Sequence, residues 1–82
     1  LTTIINDSLN MDKEILKRKI GLKIRNIREG KNLSIMDLAD MLDIEYNNLI
    51  RIEKGRTNPT IITLYKIGQA LNVKLPEIVD VD

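Results

Sequence analysis

The 82-residue chain has no cysteine, no histidine, no phenylalanine and no tryptophan, and each absence removes a class of protein. Without cysteine there is no disulfide framework and no thiolate metal site, and nothing argues for export. Without histidine or cysteine the usual general bases and soft nucleophiles are missing, and the two serines, Ser8 and Ser34, have no evident base beside them. Asp37 and Asp40 stand three apart on one helical face, but two carboxylates alone make a poor metal site. Catalysis, a metal and a cofactor are therefore not expected. Long apolar runs are absent too: stretches such as Ile4-Ile5 and Ile61-Ile62 stop at two residues, far short of a bilayer span. The first residues carry neither a basic stretch nor a small-residue cleavage site, so a cytoplasmic location is expected.

What is present suits one small soluble domain. Apolar residues make up 43% of the chain and charged residues 30%, a balance that folds rather than stays disordered. With only two tyrosines as aromatics, the core must come from Leu, Ile, Val, Met and Ala on short segments. That favours helices packed on helices, an all-α architecture. The net charge of +1 says little about partners, but its distribution is uneven. Residues 11–31 hold eight bases (Lys13, Lys17, Arg18, Lys19, Lys23, Arg25, Arg28 and Lys31) against three acids. A charge-rich helix is more often a solvated face than a binding surface.

Residues 1–10 show no helical period and read as an N-terminal arm or tail, leaving 11–82 as the domain. Asn10 is a candidate cap for a first helix running from Met11 to about Glu29, with Leu16, Ile20, Ile24 and Ile27 as its apolar stripe. Gly30-Lys31-Asn32 supplies a stop that tolerates positive φ. Ser34, with Asp37 three residues on, resembles a capping box for a second helix whose apolar face is Leu38, Met41 and Leu42. The pattern breaks at Asp43-Ile44, and a third helix follows from Tyr46 to Lys54. Gly55 to Pro59 is a loop. Thr60 caps a fourth helix with Ile61, Leu64, Ile67 and Leu71 inward, Asn72 suits its left-handed end, and Pro76 opens a short fifth helix.

The stretch from Ser34 to Gly55 carries the functional signal. Two short helices joined by a tight turn, with small Ala39 in the first and inward Leu49 and Ile52 in the second, describe a helix-turn-helix. Asp43 stands where the chain must turn, and aspartate visits the left-handed region at tolerable cost. An ordinary αα-hairpin meets some of the same requirements. On the helical wheel Tyr46, Asn47, Ile50, Arg51 and Lys54 point away from the inward pair.

In register, Gly21, Arg28, Leu33-Ser34, Leu38-Ala39, Arg51-Ile52-Glu53-Lys54-Gly55, Asn58-Pro59 and the Leu64 to Val73 run closely resemble the phage-repressor-like (Xre-type) helix-turn-helix family. The resemblance covers about Ile20 to Val79. It implies a compact five-helix, lambda-repressor-like DNA-binding domain. It also implies a sequence-specific regulator, a repressor, whose third helix enters the major groove of double-stranded DNA. Base contacts are then expected from Tyr46, Asn47, Ile50 and Arg51, with Arg51 suited to guanine and Asn47 to adenine. Phosphate contacts are expected from Ser34, Lys54, Arg56 and Asn58. An Arg28–Glu53 ion pair between the first and third helices is implied as well. The chain departs from the family where Ile35 and Met36 replace the usual glutamine, at Ile50, and in the acids Asp37, Asp40, Asp43 and Glu45 around the reading head.

One helix-turn-helix reads only a few base pairs, so a homodimer on a palindromic operator is expected. The C-terminal run of Val73, Leu75, Ile78, Val79 and Val81 is more apolar than one short helix can bury. Ile78 and Val81 are the expected two-fold contact, helped by Ile4-Ile5; the basic first helix is the alternative. The rival reading is an antitoxin or interaction adaptor whose main partner is another protein, such as a toxin.

Overall fold

The computed structural model describes the backbone of residues 2–81 and the side chains of residues 12–81. Five helices follow in order: α1 (Thr2–Gly30), α2 (Ile35–Leu42), α3 (Tyr46–Glu53), α4 (Ile61–Leu71) and α5 (Leu75–Val79). Among the described residues there is no strand.

Chemistry within a few residues decides where these helices begin and end. At the start of α2 the Ser34 hydroxyl accepts the Asp37 N–H, and the Ser34 N–H donates to the Asp37 carboxylate, each at 3.0 Å. This is a complete capping box. Thr60 caps α4 by accepting from the Thr63 N–H at 3.1 Å. The first four helices share one termination. A left-handed residue (Asn32, Asp43, Gly55 or Asn72) gives its N–H to the carbonyl three residues back. The next residue then bonds the carbonyl five back, as in Leu33 to Arg28 and Val73 to Gly68. This is the Schellman pattern, which satisfies carbonyls the helix leaves open. In three of the four, the residue after the turn is apolar (Leu33, Ile44, Val73) and packs against the core. The chain thus changes direction and contributes core in the same step.

The core consists of Ile24 from α1, Leu38 and Ala39 from α2, Leu49 and Ile52 from α3, Leu64, Ile67 and Leu71 from α4, and Ile78 from α5. Ala39 is 3% exposed, as its place at the helix crossing requires. Gly21 brings α1 against the end of α3: a Cβ there would lie 2.4 Å from the Glu53 carbonyl oxygen.

Four expectations are corrected. The backbone is helical from Thr2, so Asn10 lies inside α1 rather than at its cap; no Gly or Pro interrupts residues 1–20. Positive φ at the end of α1 falls on Asn32 (58°), while Gly30 is still helical. Leu16, Met41 and Ile61 keep the apolar spacing yet are 44%, 54% and 67% exposed, because no neighbouring element covers them. Ile78 is fully buried. It packs beside Gly68, where a Cβ would lie 3.4 Å from its terminal methyl, so α5 closes the core with it and it cannot face a partner. Val81 is half-buried, and the side chains of Ile4 and Ile5 lie outside the described residues.

Candidate nucleic-acid interface

The reading helix is held by its inward face. Leu49 and Ile52 are buried, and beside them Arg28 grips Glu53. Arg28 Nε donates to Glu53 Oε2 at 2.7 Å, and Nη2 donates to Oε1 at 3.0 Å. Nη1 takes the Leu33 carbonyl at 2.8 Å. This fork-to-fork pair ties α1 to α3 and to the turn before α2, and it satisfies all the buried polar atoms it brings in. The hydrogen bond to Glu53, more than the opposing desolvation, pushes the Arg28 pKa up, so the guanidinium stays charged throughout.

The outward face of α3 is open. Tyr46, Asn47, Asn48 and Arg51 are exposed and Ile50 is half-buried, as 100° per residue dictates once Leu49 and Ile52 face inward. Arg51 Nη1 donates to Asn48 Oδ1 at 3.1 Å. Asn48 was not singled out from the sequence, although its spacing three before Arg51 is the signal for such a pair. The bond leaves Arg51's other donors for an acceptor in front of the helix. A shallow concavity beside it is lined by Asn48, Arg51, Thr57, Asn58, Thr60 and Thr63. Its polar rim joins the expected base-reading and phosphate-binding residues.

Ser34 is engaged with Asp37 through both its N–H and its hydroxyl within the capping box. The Ile35 and Met36 N–H groups belong to the first turn and have no intrahelical acceptor. The hydrogen bond from the Ser34 N–H, then that involving its hydroxyl, holds the Asp37 carboxyl below its ordinary pKa of 3.8. The helix start therefore carries its own anion at neutral pH. Lys54, Arg56 and Asn58 are exposed at and after the end of α3. Gly55, at φ 70°, sits between the two cations and packs on the backbone of Arg18. Among the described residues no cluster of His, Cys, Asp or Glu can hold a metal ion, and no helix is long and apolar enough to cross a membrane.

Comparison with known proteins agrees with this geometry. The family model for "Helix-turn-helix" matches residues 24–78. An HTH-type transcriptional regulator of Sinorhizobium fredii is 33% identical over 64 residues, covering 78% of this chain and 83% of that protein. The immunity repressor protein of Bacillus phage phi105 is 32% identical over 60 residues, covering 73% of this chain but 42% of the repressor. The restriction-modification controller protein C.AhdI from Aeromonas hydrophila superposes with a TM-score of 0.72 at 26% identity, covering 74% of this chain and 92% of the controller. The chain belongs to the Xre-type helix-turn-helix family of DNA-binding transcription regulators.

Proposed function

We propose that the protein is a repressor that binds a palindromic operator as a homodimer, with α3 in the major groove. The observation that carries this reading is the contrast between the two faces of α3. One is locked by Leu49, Ile52 and the Arg28–Glu53 pair, and the other displays Tyr46, Asn47 and Arg51 to solvent with Ile50 half-buried beside them. A rigid helix presenting an unfilled polar face is what base readout requires. Similarity to a phage immunity repressor supports the repressor assignment.

With Ile78 in the core, a second copy can instead meet the exposed apolar side chains at the start of α4. Ile61, Ile62 and Tyr65 are 67%, 61% and 51% exposed. They follow directly on the loop that flanks α3, so a two-fold contact there sets a pair of reading helices side by side. Half-sites about 34 Å apart demand that arrangement.

Selection from a random duplex library tests the reading: an enriched, two-fold-symmetric site whose affinity falls steeply with salt is expected. Failure to enrich any duplex would overturn it. Ile62→Asp should give a folded monomer by light scattering and lose the site at concentrations where the parent binds. A variant that stays dimeric would move the interface off α4.

A further inference from the structure

A groove between α1, the start of α2 and the end of α3 stands where the family's glutamine is replaced. It is lined by Arg25, Arg28, Ile35, Ile50, Glu53 and Lys54. The Arg28–Glu53 pair is neutral as a unit, and its hydrogen bonds are already made. Ile35 and Ile50 are apolar and give an anion nothing. That leaves two cations, Arg25 on α1 and Lys54 at the end of α3. Among the described residues Arg25 is held only by a long 3.5 Å contact to Glu29, with both side chains more than half exposed, and so exposed a pair is easily given up. Lys54 is exposed and makes no ion pair among the described residues.

We propose that Arg25, with Lys54, holds one phosphate of the DNA backbone in this groove. The assignment rests on the DNA-binding reading above. Two cations beside apolar walls repel each other and focus positive potential, and a phosphate relieves both effects. The guanidinium fork matches two phosphate oxygens, and the lysine supplies a point charge. Ile50 belongs both to the groove and to the side of α3 that meets bases. A strand read by α3 therefore carries its backbone past Arg25.

The test compares the full chain with Arg25→Ala, Arg25→Lys and Glu29→Gln on the selected duplex and a scrambled one, across a salt series. Arg25→Ala should bind both duplexes roughly tenfold more weakly and lower the salt slope by about one. Arg25→Lys should restore the slope and only part of the affinity. Glu29→Gln releases Arg25 without removing it, and should bind as tightly as the parent or up to about fivefold more tightly. If Arg25→Ala keeps the parent's slope and affinity, or changes base preference instead, the phosphate assignment is wrong while the DNA-binding reading stands. If the parent binds no duplex at all, both fail.

Discussion

The Arg28–Glu53 pair is the contact whose loss should cost most. Glu53→Leu keeps the packing volume but leaves a guanidinium that is 8% exposed with one remaining acceptor, the Leu33 carbonyl. Stranding a buried charge in this way costs ~3–5 kcal/mol. A chain of this size has ~4–12 kcal/mol of stability at ~0.05–0.15 kcal/mol per residue, so the variant should lose about a quarter or more. At ~4–8 °C per kcal/mol for so small a domain, the melting temperature falls by at least ~12 °C. Arg28→Met should do comparable damage by stranding the carboxylate. The double variant Arg28→Met/Glu53→Leu removes both charges and should lie within ~1–2 kcal/mol of the parent, the residue being the unpaired Leu33 carbonyl. Urea denaturation of all four proteins closes the cycle. Singles costing less than ~1 kcal/mol, or a double variant as unstable as the sum of the singles, would refute the argument.

Two glycines of α1 should respond in opposite directions to alanine. At Gly30 a Cβ meets nothing within 4 Å on a helical backbone, so Gly30→Ala should stabilise by ~0.5–1 kcal/mol. At Gly21 it meets two carbonyl oxygens at 2.4 and 2.5 Å, and Gly21→Ala should destabilise by ~1–3 kcal/mol in the same denaturation assay. Asp37 has a folded pKa below its ordinary 3.8, so its stabilisation is present above that value and is lost as pH falls through the folded pKa. The stability gap between parent and Asp37→Ala should therefore be constant near neutrality and close below about pH 4, which thermal melts at stepped pH will read. On the selected operator Arg51→Ala should relax preference at one base position at a cost of ~1–3 kcal/mol, whereas Arg56→Ala should weaken all duplexes alike and lower the salt slope by about one.

Which of these features are legible in the sequence depends on how far apart the responsible groups lie. Ser34 with Asp37, Thr60, Asp43 and Asn72 are readable because a cap or a left-handed stop is decided within four or five residues. Apolar stripes are readable only in part. Leu38 and Met41 obey the same spacing, yet one is fully buried and the other 54% exposed, since periodicity defines a face but not how far the covering helix reaches. Ile78 shows the limit most clearly. Val73, Leu75, Ile78, Val79 and Val81 are alike in chemistry. The one that becomes core is chosen by the close approach of α5 to Gly68, a contact ten residues back in the chain.

The interface divides along the same line. The outward set on α3 follows from the inward pair Leu49 and Ile52 by helical geometry alone, and the Arg28–Glu53 bond was implied by a family resemblance rather than by spacing. Arg25 in its groove depends on how α1 crosses the end of α3, and that crossing is set by Gly21 lying against the Ile52 and Glu53 carbonyls. A one-carbon change at Gly21 should therefore act on DNA binding as well as stability. By pushing α1 off α3 it moves Arg25 away from Lys54 while leaving Arg51 on its helix. The folded fraction of Gly21→Ala is expected to keep the parent's base preference but show a salt slope lower by about one, matching Arg25→Ala. Base preference lost together with the slope would mean that α3 itself had moved, and that the clamp, not the groove, depends on Gly21.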